Sequence, residues 1–295
     1  MKVCAACSQE LPKDKFSKKQ WQLKHHRRCK ACIAVNREVA SVEEASTLSS
    51  GDGKETPCFS DEDLFKEPPP REDECPICFL AQPFNEGETT YFSCCGKVIC
   101  DGCVHAAEHA DDRGLCPFCR ALPPTSNGEI IERIKERVAA CDAVAIYTLG
   151  CDYAHGRYGL RQNTAKAMKL WLRAGELGCL EAYCNIGYAY NNGDGVERDA
   201  NKAKYYWELA AMRGDARARH NLGLSEQIAG NTSRAMKHWM ISAAAGWDDS
   251  LKEIREGFLN VDVTKDDFEK ALRAHQASKD EMKSEQREAA ARFYG

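Results

Sequence analysis

No run of 18 apolar residues occurs in this 295-residue chain, so no segment reads as a membrane-spanning helix. The N-terminus offers Lys2 and then Cys4 with no apolar region behind them, which gives no secretory signal. There is no recognisable nucleophile–base pair, phosphate-cradling loop or catalytic carboxylate pair. The short GxG stretches fall in helix turns, where they are not dinucleotide fingerprints. A strong net charge is also missing: 41 Lys+Arg against 45 Asp+Glu leave −4.

That mild total hides an uneven spread. Residues 1–40 carry ten basic residues against three acids, and residues 41–74 carry three against eleven. The first block is a separate electrostatic unit. The second reads as a solvated linker.

Cysteine, by contrast, is plentiful. Of 17 cysteines, twelve fall in clusters: Cys4-x2-Cys7, Cys29-x2-Cys32, Cys75-x2-Cys78, Cys94-Cys95, Cys100-x2-Cys103 and Cys116-x2-Cys119. A pair at a two-residue gap can point two thiolates at one tetrahedral ion from a tight turn. Clustered pairs in a long chain read as metal sites and imply a reducing compartment, cytoplasmic or nuclear. Eight thiolates in 74–124 satisfy two zinc ions and four in 1–40 satisfy a third. The other five, Cys58, Cys141, Cys151, Cys179 and Cys184, read as free thiols.

Residues 1–40 are too short for a core without metal. Phe16, Trp21 and Leu23 would bury against the knuckles. His25 and His26 are spare donors, since four cysteines already complete the set. Lys13, Lys15, Lys18, Lys19, Lys24, Arg27, Arg28 and Lys30 make this finger basic. With Trp21 and Phe16 as stacking platforms it fits nucleic acid or an acidic partner. The plainer alternative is a solvated face over two core aromatics, since one small basic patch is not specific for nucleic acid. The pattern CxxC…FSKKQW…RRCKACI resembles the zinc-binding domain of a fission-yeast linker between RNA interference and chromatin modification, which implies protein–protein contact.

Residues 41–73 hold Ser41, Ser46, Ser49, Ser50, Gly51, Gly53 and Pro68-Pro69-Pro70 among many acids. They predict a disordered linker, with serines beside acids as candidate phosphorylation sites.

From residue 126 the chain becomes helical. Ser126 with Glu129 is a capping box before Ile130, Ile131, Ile134 and Val138. Three segments then repeat. Gly150, Gly187 and Gly223 recur in register, as do Trp171, Trp207 and Trp239, and then Gly178, Gly214 and Gly246. A period in the mid-thirties predicts stacked helix pairs over 126–250. The third unit has a shorter inner loop. The motif LGxxY…GxGVxxDxxKAxxWxxxAAxxG resembles the Sel-one-like repeat, a relative of the tetratricopeptide repeat, and implies a protein-binding solenoid. Helix 129–140 ends at Cys141, where the turn glycines stand elsewhere, and so resembles the second helix of an incomplete repeat. Residues 251–295 predict a helical cap: Leu251, Ile254 and Phe258 cover the last repeat. Thr264 with Asp267 forms a second capping box, and Phe268, Leu272, His275 and Met282 lie on one stripe.

The eight cysteines of 74–124 resemble a RING domain, which holds two zinc ions in a cross-brace. The resemblance implies one site from Cys75, Cys78, Cys100 and Cys103, and a second from Cys94, Cys95, Cys116 and Cys119. Where the usual RING has histidine this chain has Lys97, a poor zinc ligand. The Cys94-Cys95 pair is similar to the eight-cysteine RING of the CCR–NOT complex ligase; His105 or His109 are the alternative donors. The family implies docking of a ubiquitin-conjugating enzyme through Ile77 and Pro117, with Arg120 as the linchpin donor to ubiquitin. Val98 and Ile99 would pack inside, and Val104 stands where the docking groove commonly has an aromatic. The expectation is a multidomain, mainly α protein: Cys4 finger, RING, solenoid and cap. Its function would be a RING-type ubiquitin ligase whose repeats recruit substrate, or else a non-enzymatic zinc-finger scaffold.

Overall fold

The computed structural model describes residues 2–3, 10–11, 59–66, 68–69, 73–84, 87–110, 113–260 and 262–294. Within 1–40 these are two short antiparallel strands, β1 (Lys2–Val3) and β2 (Glu10–Leu11), with Lys2 opposite Leu11. Cys4, Cys7, Cys29 and Cys32 lie outside the described residues, as do Phe16, Trp21, Leu23, His25, His26, the four linker serines and Cys58.

The cysteine-rich unit is built on a hairpin of β3 (Thr89–Phe92) and β4 (Lys97–Cys100), followed directly by helix α2 (Asp101–Ala110). Between the strands, Gly96 takes φ 68°, the left-handed value that lets the turn close over Cys94 and Cys95. Ile99 and Val104 form the small core with Cys75, Cys100 and Cys103.

The helices that follow are α3 (Asn127–Ala139), α4 (Ala143–His155), α5 (Thr164–Glu176), α6 (Leu180–Asn192), α7 (Ala200–Ala211), α8 (Ala216–Ile228), α9 (Thr232–Ala244), α10 (Asp248–Leu259), α11 (Lys265–Glu281) and α12 (Glu285–Tyr294). Their starts follow from local chemistry. Asp142, Asn163, Asp199 and Asp215 each accept a backbone N–H of the first turn, satisfying donors that a helix leaves open. Ser126 accepts the Glu129 N–H at 3.2 Å, but the second arm of that capping box differs from expectation. The Glu129 carboxylate takes the N–H and hydroxyl of Thr125 and the Arg133 guanidinium instead. At α11 the Thr264 hydroxyl accepts the Asp267 N–H and donates to its carboxylate.

The repeat is visible as one packing device used three times. Gly150, Gly187 and Gly223 sit under the indoles of Trp171, Trp207 and Trp239, and a methyl at any of the three would overlap the ring. Glycine lets two helix backbones approach, and tryptophan fills the gap. The turns end on Gly178, Gly214 and Gly246 at φ 100–101°. Cys141 holds the equivalent turn after α3 at φ 61°, so α3 closes as an incomplete first unit. A non-glycine residue there costs about 1–2 kcal/mol. In the cap, Phe258 stacks on Phe268 at 4.9 Å, and His275 and Met282 are buried. Leu272 departs from the expected stripe and is exposed.

Two segments leave their expected places. Part of the expected linker is folded: Ser60 caps a one-turn helix, α1 (Asp61–Leu64), and Leu64 is 2% exposed. The acidic composition hid this because one buried leucine after a run of acids sets up no periodicity. At the other end α12 turns away from the cap and packs on α2.

Candidate metal centre and its supports

The two C-x2-C turns at the ends of the cysteine-rich unit share one backbone pattern. Phe79 N–H donates to Cys75 O at 2.9 Å, and Cys75 N–H to Leu80 O at 2.9 Å. Likewise Arg120 N–H donates to Cys116 O, and Cys116 N–H to Ala121 O, each at 2.9 Å. The residue after each second cysteine is left-handed, Phe79 at φ 59° and Arg120 at φ 61°. Each turn therefore curls its two sulfurs toward one point.

The other two pairs come from the hairpin turn and from the β4–α2 junction. The fold interleaves them. Cys75, Cys78, Cys100 and Cys103 form one group and Cys94, Cys95, Cys116 and Cys119 another, with the ligand atoms of each all within 4.8 Å. Within the groups, Cys75–Cys103 and Cys78–Cys100 are 3.8 Å apart, Cys95–Cys116 3.7 Å and Cys94–Cys119 3.5 Å. These separations are far beyond a disulfide. They fit a tetrahedral ion, since bonds of about 2.3 Å to sulfur set ligands about 3.8 Å apart. Each group can hold a metal ion.

The electrostatics point the same way. Burial pushes the Cys94 and Cys103 thiols well up, and neighbouring cysteines add to it. Burial raises Cys95 too, to about 11. At Cys75 burial also acts upward, but backbone N–H donors from Cys78, Cys100 and Ile77 outweigh it and bring the thiol down to about 7. Four crowded thiols cannot all ionise by themselves; a divalent cation is what stabilises four thiolates together.

His105 and His109 stand apart from both groups. They pack on each other at 4.0 Å between ring centres and against Phe293 of α12. Lys97 is exposed, its ammonium 5.7 Å above the Phe118 ring. Ile77 is half-buried against the small core, Pro117 is half-buried and Arg120 is exposed. Val104 lies inside that core, so it offers nothing to a groove.

Two arginines unforeseen from the sequence tie this unit to the helices. Arg137 of α3 donates to Ser93 O at 3.1 Å and Cys94 O at 3.3 Å, and pairs with Asp142 at 3.0 Å. Arg287 of α12 donates to Ala81 O at 2.8 Å and lies 3.6 Å from Cys78 Sγ. Tyr91 of β3 joins the apolar cluster of Ile131, Ile134 and Leu149. The two cysteine groups are thus tied to α3 and α12 by hydrogen bonds and to the α3–α4 cluster by Tyr91. No local signal marks these arginines, because their partners are distant in sequence.

Residues 143–179 and 180–215 match the Sel1 repeat family. No RING or zinc-finger family matches the cysteine-rich unit. The chain is similar to the ERAD-associated E3 ubiquitin-protein ligase component HRD3B of Arabidopsis thaliana, 36% identical over 84 residues. That match takes in 28% of this chain and only 13% of the relative. Among solved structures it is similar to a Sel1 repeat protein of Oxalobacter formigenes, at 28% identity and TM-score 0.45, covering 51% of this chain and 64% of that one. It is also similar to a protective antigen of uropathogenic Escherichia coli with an SLR fold, at 25% identity and TM-score 0.44, covering 52% and 33%. The Sel1 stretches place a helical-repeat solenoid in the C-terminal part of a mainly α chain. No helix among the described residues is long and apolar enough to cross a membrane.

Proposed function

We propose that this chain is a RING-type ubiquitin ligase that carries its metal unit on a Sel1-repeat interaction scaffold. Residues 74–124 bind two zinc ions, with the eight cysteines as ligands. The observation that carries the reading is the interleaving: the first cysteine pair joins the third, and the second joins the fourth. Such crossing fixes two knuckles, a hairpin and a helix in one small unit. Zinc supplies folding free energy there and no reaction chemistry.

The unit acts by orientation. Ile77 and Pro117 contact the conjugating enzyme, and Arg120 follows the last ligand with donors in a fixed fork. Phe79, Phe118 and Leu122 add large exposed apolar side chains on the same unit. The repeats recruit the substrate, and the name of the Arabidopsis relative, a ubiquitin-ligase component, is in keeping with that partnership. Residues 1–40 bind a third zinc ion through Cys4, Cys7, Cys29 and Cys32.

Zinc-loaded full chain assayed for autoubiquitination with a panel of conjugating enzymes is the test. Product is expected with at least one enzyme, falling about tenfold or more in Arg120→Ala. No product with any enzyme sinks the ligase reading and leaves the second one, a non-enzymatic scaffold. The burial of Val104 favours that second reading, because it removes one apolar contact from the docking face. The basic finger would then make the nucleic-acid or acidic-partner contact, and binding to RNA or DNA should weaken steeply with salt.

A further inference from the structure

Residues 59–66 and 68–69 lie across α7, α8 and α9 in the manner of a bound peptide. Leu64 is buried. The Phe65 ring packs 4.7 Å from His238, with the Arg234 and Lys237 cations each 5.3 Å from its centre. Asp61 pairs with Arg234. Phe59 stacks over Tyr205 at 6.3 Å, and Pro68 lines a small cavity with Ala211 and Ile241. The acidic turn thus meets basic side chains, and the apolar pair behind it meets the packed helices.

Arg219 shows that the groove is shaped for a chain. Its side chain is 2% exposed. Its guanidinium donates to Ala211 O of α7 at 2.8 Å and to Leu64 O of the segment. Taking the segment away would remove one carbonyl acceptor from this cation and uncover it, and water would have to take that carbonyl's place. A buried arginine held ready for one backbone carbonyl reads main chain, not a particular side chain. Selectivity then falls to Arg234 and Lys237, which favour acids, and to the Leu64 and Phe65 sites, which favour an apolar pair.

The segment in place is short. Its regular structure is a four-residue helix anchored by one buried leucine. Its advantage is the tether, which gives it an effective concentration of order millimolar. A partner with the same side-chain order exchanges with it once the tethered copy is loosened or the partner binds elsewhere on the chain as well.

We propose that the groove formed by α7, α8 and α9 is a docking site for partner polypeptides that carry acidic residues directly before a Leu-Phe pair, and that the chain's own Phe59–Lys66 stretch, with Pro68, occupies it in cis as a competitor. This rests on the scaffold reading of the repeats and is independent of ubiquitin transfer.

The test is fluorescence anisotropy of a labelled peptide spanning residues 57–70, titrated with full-length wild type and with the Leu64→Ala/Phe65→Ala chain. The variant, freed of its competitor, is expected to bind at least tenfold more tightly than wild type. A peptide with Asp61, Glu62 and Asp63 changed to Lys should lose that binding, and adding Arg234→Ala to the chain should weaken it. Asp61→Lys in the chain, which spares Leu64, gives a milder release should the double variant unfold. Equal binding to wild type and variant, or none to a variant that melts as wild type does, overturns the proposal. Autoubiquitination of the same variants is expected to be unchanged. Its loss would bear on the metal unit, and loss of peptide binding alone would bear on the groove.

Discussion

The Arg287 guanidinium lies 3.6 Å from Cys78 Sγ, across 209 positions of sequence. It also donates to Ala81 O at 2.8 Å and to Met282 O at 2.7 Å. The last helix therefore reaches back and braces the first knuckle from outside. Beside this contact, α12 passes α2 so closely that a methyl on Gly102 would strike the Arg287 backbone. Groups that orient metal ligands from behind typically change affinity by about 10–100-fold. Arg287→Ala is expected to speed zinc release to a chromophoric chelator by a factor in that range, and Gly102→Ala to do the same by pushing the helix away. Release at the wild-type rate in both would mean that α12 is not a support for the site.

The repeat glycines make a sharper stability prediction. A methyl at Gly223 would overlap the Trp239 indole, whose N–H donates to His220 O at 3.2 Å. The ring cannot move without losing that bond. Gly223→Ala should cost about 1–3 kcal/mol by overpacking, and Trp239→Ala about 3–5 kcal/mol by leaving a cavity. Chemical denaturation followed by circular dichroism reads both. A Gly223→Ala midpoint equal to wild type would show that the helices have room to part.

Glu208 gives a pH dependence. It is buried on α7, and burial pushes its carboxyl up to about 7 despite the nearby Lys204 and Arg234, with Glu226 adding to the rise. Its folded value lies above its ordinary 4.5. Its contribution to stability is therefore fully present below about pH 4.5 and lost as pH rises through about 7. Burial acts oppositely on His238, holding it neutral down to about 3, so that residue favours folding above pH 6.5. Comparing variant with wild type isolates the acid. Glu208→Gln should gain about 1–3 kcal/mol over wild type at pH 8 and little at pH 4.5. A gain that does not change with pH would place its origin elsewhere.

How much of this was legible beforehand depended on distance along the chain. Cysteine pairs at a two-residue gap and a Gly–Trp–Gly period are short-range patterns, and both correspond to single packing devices. Cys141 was readable as a turn residue because the repeat register put it where glycine stands in the other units. Leu64 was not readable: it follows a run of acids, and its partner Arg219 lies far downstream, as does His238 against the neighbouring Phe65. Arg137, Arg287 and the departure of α12 from the cap were hidden for the same reason. Leu272 erred the other way. Helical spacing put it on the stripe of Phe268 and His275, but the stripe is wider than the surface that covers it.

The central ligand is where sequence left two choices, Cys94 or a histidine of α2. Cys94 Sγ lies 3.5 Å from Cys119 Sγ, within the group formed with Cys95 and Cys116. His105 and His109 face α12, with Phe293 against both rings and the Tyr294 hydroxyl donating to Glu108 at 2.6 Å. To reach the metal they would have to leave that contact and turn to another face of their helix. Cys94→Ala is therefore expected to bind one zinc fewer per chain than wild type, which should carry three, and to expose the second knuckle to thiol reagents. His105→Ala and His109→Ala should keep the full count while loosening α12. Elemental analysis of the purified full-length chains decides between them: a full zinc count in Cys94→Ala, together with loss in either histidine variant, would assign the fourth ligand to the helix.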